Sequence, residues 1–211
     1  GFQGARGSER GGMWNIQNVF EELDSDREWF FNATTRQLFV AVDKSISTGP
    51  PPTIEVSGLK SLFHIEGSTP DTPAANITLC NLSLVRTAYT YMDRDHGVPS
   101  GGDWALGSSG VVYLENTEDV VIANILATQL DGNAIMVRGY NARPVVRHST
   151  FSLVGGTAVA MWGKTGSGGG ALRHILPTGT GPDGTRKSFV VGALIELNVM
   201  ERLGVVAEKQ V

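Results

Sequence analysis

The feature that most constrains this chain is an internal repeat. The segment DVVIANILATQLDGNAIMV at 119–137 lies over RPVVRHSTFSLVGGTAVAM at 143–161 at a constant offset of 24, without a gap. Ile122 falls on Val146, Leu130 on Val154, Gly132 on Gly156, Ala134 on Ala158, Ile135 on Val159 and Val137 on Met161. Short alternating apolar runs fill each repeat, and helical 3.6 spacing is missing. One such unit cannot bury its own apolar face, so units of this kind stack and share a continuous interior. A propeller blade needs ~40 residues and a leucine-rich repeat needs a fixed Leu/Asn pattern, so neither fits. The predicted fold class is all-β, a parallel β-helix with three-strand coils and a period of about 24.

The frame extends both ways. Upstream, Leu79, Leu82 and Leu84 fall on Ile122, Ile125 and Ala127 at an offset of 43; downstream, Val190, Ala193 and Ile195 are aligned on Val146, Ser149 and Phe151 at an offset of 44. The extra residues in each gap are turn-rich inserts at 86–109 and 164–187, and LKSLFHIEG at 59–67 supplies an earlier partial coil. The expected organisation is a hairpin or flanking segment at 1–55, then the β-helix at 56–211. A first strand runs through Val112 and Leu114, with counterparts Ile135/Val137 and Val159/Met161. A second runs through Val120 and Ile122, and a third through Ile125, Ala127 and Leu130. Side chains alternate faces, so the outward set on the first strand is Tyr113, Glu115, Met136, Arg138, Ala160 and Trp162. The two inserts are expected to rise on opposite edges of that sheet and wall it into a groove, a shape suited to a polymeric ligand.

Composition narrows the function classes. Glycine numbers 27 and proline 9, which favours turns over helix, and the net charge is −4. Without a basic field or a Lys/Arg cluster the chain is not expected to hold nucleic acid. No apolar run reaches the roughly 18 residues of a membrane span. The lone Cys80 excludes a disulfide framework and a cysteine-based zinc site; lying in an apolar stretch, it is read as a buried small hydrophobe. Sequons at Asn32, Asn76 and Asn81 point to a secreted or cell-surface glycoprotein. Asn32, in a hairpin turn, is the best glycosylation candidate and Asn76 the second, whereas Asn81 is placed inside a strand with a cryptic sequon. The start at Gly1 and the apolar, strand-like end suggest a piece of a longer protein, with flanking coils or other chains covering the ends.

These residues also carry a resemblance. The coils resemble the right-handed parallel β-helix of pectin-lyase-like proteins. VFEELDSDREWFFNATTRQLFV at 19–40, PSGGDW at 99–104 and LDGNAIMVRGY at 130–140 look like a group of large extracellular β-helix proteins of microbes and algae. In that group an EELD–EWFF–LFV hairpin precedes the helix. The resemblance implies a fold more than an activity, because lyases, hydrolases, epimerases, tailspikes and adhesins share it.

Arg138 is the leading candidate for chemistry. In families of this fold such an arginine neutralises a substrate carboxylate or acts as a base; alternatively it pairs with Glu115 across one coil. Glu115 with Asp131, or Glu115 with Asp103, offers the carboxyl pair that glycoside hydrolysis needs at ~5–9 Å. Tyr113 and Trp162 can stack on sugar rings or pack beneath the inserts. Lys164 adds a substrate-binding cation at the insert edge. No cofactor is expected: Asp93-Arg94-Asp95-His96 with Asp103 loosely resembles a calcium ligand set without the spacing of a defined loop. His148 is placed at a corner turn, and His64 and His174 show no evident partner. Gly163-Lys164-Thr165 lacks the spacing of a phosphate loop. The partner these features suggest is a polysaccharide or glycan, met by a lyase, a glycosidase or a non-catalytic binding module. The other reading is a structural or adhesive solenoid.

Overall fold

A computed structural model describes residues 18–26, 28–42, 53–90, 107–163 and 187–205. The chain divides into two compact units, one within Gly7–Val56 and one running from Ser57 onward. In the smaller unit β1 (Trp29–Asn32) pairs antiparallel with β2 (Gln37–Val40), Phe30 opposite Phe39 and Asn32 opposite Gln37. Asn32 closes the turn itself: its Oδ1 accepts the N–H groups of Thr34 at 3.0 Å and Thr35 at 3.1 Å. Phe20, Phe30 and Phe39 pack edge-on or tilted on one face of the hairpin.

The larger unit is built from parallel strands. A first circuit of chain comprises β3 (Phe63–Glu66), β4 (Ala74–Ala75), β5 (Thr78–Cys80) and β6 (Ser83–Val85). The second comprises β7 (Gly110–Glu118), β8 (Val121–Ala123) and β9 (Leu126–Leu130). The third comprises β10 (Asn133–Ala142), β11 (Val145–Arg147) and β12 (Thr150–Val154). The last comprises β13 (Val159–Trp162), β14 (Val190–Val191), β15 (Leu194–Glu196) and β16 (Val199–Leu203). Corresponding strands hydrogen-bond to one another, giving a first sheet ordered β13-β10-β7-β3, a second ordered β15-β11-β8-β5 and a third ordered β16-β12-β9-β6. All pairings within these sheets are parallel. Apart from one 3-10 turn at Phe20–Glu22, the regular structure among the described residues is all β.

The three sheets enclose one apolar interior. Val112, Leu114, Ile135 and Val137 enter it from the first sheet, Ile122 and Val146 from the second, and Ala127, Leu130, Phe151 and Val154 from the third. Each buried aliphatic side chain contributes about 1.5–3 kcal/mol relative to exposure, so this column supplies most of the drive to fold. The offset of 24 holds from β10 to β13 and from β8 to β11, and the offset of 43 from β5 to β8. Between β7 and β10 the offset is 23 up to Arg138 and 24 from Asn141 on. The extra residue sits in a bulge that includes Gly139, whose φ is +65°. Behind the bulge, Thr117 Oγ1 donates to Asn141 Oδ1 at 2.7 Å, and Asn141 Nδ2 donates to the Arg138 carbonyl at 2.8 Å. Both polar side chains are thereby satisfied within the core wall.

Sharp bends between strands recur at the same place in every circuit. Asn76, Asp119, Arg143 and Gly192 form one column of left-handed residues, Asn81, Asn124, His148 and Leu197 a second, and Arg86, Gln129, Leu153 and Arg202 a third. A left-handed residue other than glycine costs roughly 1–2 kcal/mol, less for Asn and Asp, and the stacked core offsets it.

Several expectations need correction. The downstream offset is 49, not 44: Ile195 pairs with Val146, Val199 with Thr150 and Val190 with Asn141. Two short apolar strands can be slid by five residues without spoiling their pattern, and hydrogen-bond register decides between the positions. Cys80 is exposed, because Leu79 points inward and its neighbour on a pleated strand must point out. Asn81 lies not inside a strand but on an exposed corner with φ +57°. Met136, expected on the wet face, is buried at 0% exposure. His64, read as partnerless, stacks on Tyr113 and contacts Glu66.

Candidate functional site

The outward side of the first sheet carries two parallel rows. One runs His64, Tyr113, Met136, Ala160, and the other Glu66, Glu115, Arg138, Trp162, each residue directly opposite the next in the strand register. Neighbouring strands lie ~4.8 Å apart, so each side chain in a row stands directly beside the next. This register brings together four of the residues singled out from sequence, namely Tyr113, Glu115, Arg138 and Trp162. It adds two that the sequence reading passed over, His64 and Glu66. Their signal lies in LKSLFHIEG, a partial coil too short for its pattern to fix its register against Tyr113 and Glu115.

Glu115 is buried and accepts a hydrogen bond from the Tyr113 hydroxyl. Burial first, and then the neighbouring Glu115 carboxylate, push the Tyr113 hydroxyl well above its ordinary pKa, while Arg138 pulls weakly the other way. Tyr113 therefore stays protonated through neutral pH and acts as a donor. The His64 ring stacks on it with centroids 4.6 Å apart and planes 20° from parallel. His64 Nε2 lies 2.8 Å from Glu66 Oε2, with both side chains exposed. At the far end Trp162 Nε1 donates to Met136 Sδ at 3.0 Å, so the half-buried indole leans over Met136. The face thus divides into a polar end of His64, Glu66, Tyr113 and the buried Glu115 and an aromatic end at Trp162, with Arg138 between.

Asp131 has a different place. It lies in the turn before β10, where its Oδ2 accepts both the N–H and the hydroxyl of Thr90 at 2.6 Å. Its own N–H donates to Thr87 Oγ1 at 3.0 Å. Five strand positions separate Asn133 from Arg138, about 16 Å at the usual rise. Asp131, before Asn133, is accordingly an anchor for the chain leaving β6 and does not pair with Glu115. Asp103 and Lys164 lie outside the described residues, as do Asp93–His96 and the interiors of both inserts. Asn76 is exposed beside β5, whereas the Asn32 carboxamide is engaged in its own turn. Among the described residues no cluster of three or more His, Cys, Asp or Glu side chains is arranged to hold a metal, and no helix is long and apolar enough to cross a membrane.

A second polar cluster occupies a corner of the same unit. Arg143 grips Asp119 with two hydrogen bonds of 2.7 Å and reaches Glu118 at 3.1 Å, while the Tyr140 hydroxyl donates to Glu118. Hydrogen bonds from Tyr140 and Arg143 hold Glu118 below its ordinary 4.5, and Arg143 holds Asp119 below 3.8. Depressed carboxylate values contribute stability that is complete above the ordinary values and lost as pH falls through the lower folded ones. Arg143→Ala is therefore expected to flatten the fall in Tm between about pH 6 and pH 3. Equal slopes in thermal melts of the two proteins would show that this corner does not contribute to acid sensitivity.

The chain matches no protein-family model, no curated protein and no solved structure.

Proposed function

We propose that residues from Ser57 onward wind as a right-handed parallel β-helix of the pectin-lyase-like kind, secreted or at the cell surface, and that its first-sheet face binds and hydrolyses a polysaccharide. The winding is supported by the three stacked parallel ladders around one interior, and the hand by the strong right-handed preference of parallel crossovers. The glycan reading rests on one observation. Tyr113, Glu115, Arg138 and Trp162 share a face with His64 and Glu66, combining rings for sugar faces with groups that hydrogen-bond hydroxyls.

Glu66 and Glu115 stand on adjacent strands in direct register, which suits the ~5–9.5 Å carboxyl separation of glycoside hydrolases better than Glu115 with Asp131. In this reading Glu66, at the open edge, gives a proton to the departing glycosidic oxygen as the C–O bond breaks. Glu115, held as an acceptor by Tyr113, takes the anomeric carbon in an ester. Glu66 then accepts a proton from water, whose oxygen displaces Glu115 and completes hydrolysis. Trp162→Ala is expected to weaken binding on a polysaccharide array about tenfold or more while the fold persists. Unchanged binding would remove the aromatic end from the site.

One observation favours a structural solenoid instead. Ile195 and Met200 occupy the registers of the buried Val146 and Phe151, yet are 44% and 41% exposed at the β15–β16 edge. Such an edge suits stacking against another coil. Loss of glycan binding from every polysaccharide tested would leave this reading in place.

A further inference from the structure

We propose that the ligand of the first-sheet face is an uncharged polysaccharide, a chain of neutral sugars and not a polyuronate; the inference rests on the glycan reading above and names its substrate class. The row beneath such a ligand is Glu66, Glu115, Arg138, Trp162. It carries two carboxylates against one guanidinium, and the guanidinium is already compensated. The Tyr113 hydroxyl donates to Glu115 and also lies within hydrogen-bonding reach of Arg138. Two groups that share one hydroxyl are no more than about 6 Å apart. Any uronate carboxylate approaching Arg138 therefore meets the opposing field of Glu115 at nearly the same distance, and that of Glu66 one strand further on.

A neutral sugar meets the same groups differently. Its hydroxyls are donors, and Glu66 and Glu115 are acceptors set one strand spacing apart along the direction a chain would take. Its C–H faces suit the stacked His64–Tyr113 pair at one end of the face and the Trp162 indole at the other. The second row, His64, Tyr113, Met136 and Ala160, adds no lysine or arginine, and the Met136 side chain is buried. Neutral sugars also lack the carboxyl group that acidifies the proton removed in eliminative cleavage. Turnover on this face accordingly adds water across the glycosidic bond and leaves no C=C bond in the product.

The test is affinity electrophoresis of the whole chain through native gels. One set holds galactomannan, xyloglucan or laminarin, the other polygalacturonate or alginate. Retardation is expected in at least one neutral gel at polymer concentrations tenfold or more below those needed with the acidic polymers. Glu66→Gln, with its melting temperature checked, is expected to gain at least threefold in affinity for polygalacturonate in gels run at low salt and pH 8, where carboxyl groups are ionised and the substitution removes a negative charge from the face. Stronger retardation by the acidic polymers, a new ultraviolet absorbance from an unsaturated product, or an unaltered polygalacturonate response in E66Q would overturn the neutral assignment while leaving a glycan site standing. No retardation in any gel would sink the glycan reading itself.

Discussion

Ile135→Asp is expected to yield no cooperatively folded protein. Ile135 stands in the middle of β10, paired with Val112 on one side and Val159 on the other, and its side chain belongs to the interior shared by the three sheets. An aspartate there has no cation within the column and must be buried as an unpaired charge or neutralised at similar cost. Either way the loss is about 4–5 kcal/mol or more, comparable with the entire stability of an ordinary domain. The neighbouring Met136→Asp carries more information. Alternation alone makes it an outward residue whose replacement should be tolerated. In the structure it is fully buried, its sulfur accepts the Trp162 indole N–H, and its Cβ lies only 2.7 Å from where a Cβ on Gly110 would stand. Its replacement is expected to cost about 3–5 kcal/mol. Arg147→Asp, exposed one position beyond buried Val146, should cost under about 0.5 kcal/mol. Urea unfolding followed by circular dichroism separates the cases, and a Met136→Asp variant as stable as Arg147→Asp would mean that the middle of this face is wet.

The contrast between Ile135 and Met136 shows what a strand sequence can and cannot disclose. Period-two alternation distinguishes two sides of a sheet, and it placed Ile122, Ile135 and Val146 in one interior because those side chains recur at a fixed spacing. It says nothing of what lies over the other side, where Met136 is covered. The same alternation, applied strictly from Leu79, would have turned Cys80 outward; an apolar neighbourhood proved a weaker guide than the pleat. Non-glycine corners are harder still, although alignment with Asn124 places His148 at one. Arg143 and Leu153 adopt left-handed backbone because the stacked core imposes it, and nothing in those residue types advertises it. The offset of 49 after the second insert depended on strand pairing across a long gap, where two- and three-residue strands carry too little pattern to set a register. His64 and Glu66 are illegible for the same reason, since a partial coil without a fixed register cannot be laid beside Tyr113 and Glu115.

Glu115→Gln is the substitution with the largest expected effect on chemistry. The amide has the size of the acid and keeps one oxygen to accept the Tyr113 hydroxyl, so packing in this buried position is preserved and the cost in stability should stay near 1 kcal/mol. What it cannot do is form the glycosyl ester or balance positive charge at the anomeric carbon. Turnover of the neutral polysaccharide retained in native gels is therefore expected to fall about 10³-fold with little change in KM. Glu66→Gln should behave differently. Substrates whose leaving groups need no proton would still lose their aglycone in the first step, because only the proton donor is missing. Azide should restore turnover to Glu115→Ala by taking the place of the absent carboxylate, and to Glu66→Ala only in the second step, where base assistance to water is lacking. The two carboxylates are thus separable by leaving-group dependence and by which glycosyl azide accumulates: inverted relative to substrate for Glu115→Ala, retained for Glu66→Ala. A Glu115→Gln protein that turns over like the parent would reduce this carboxylate to a support for Tyr113, and the first-sheet face to a surface that holds sugar without cutting it.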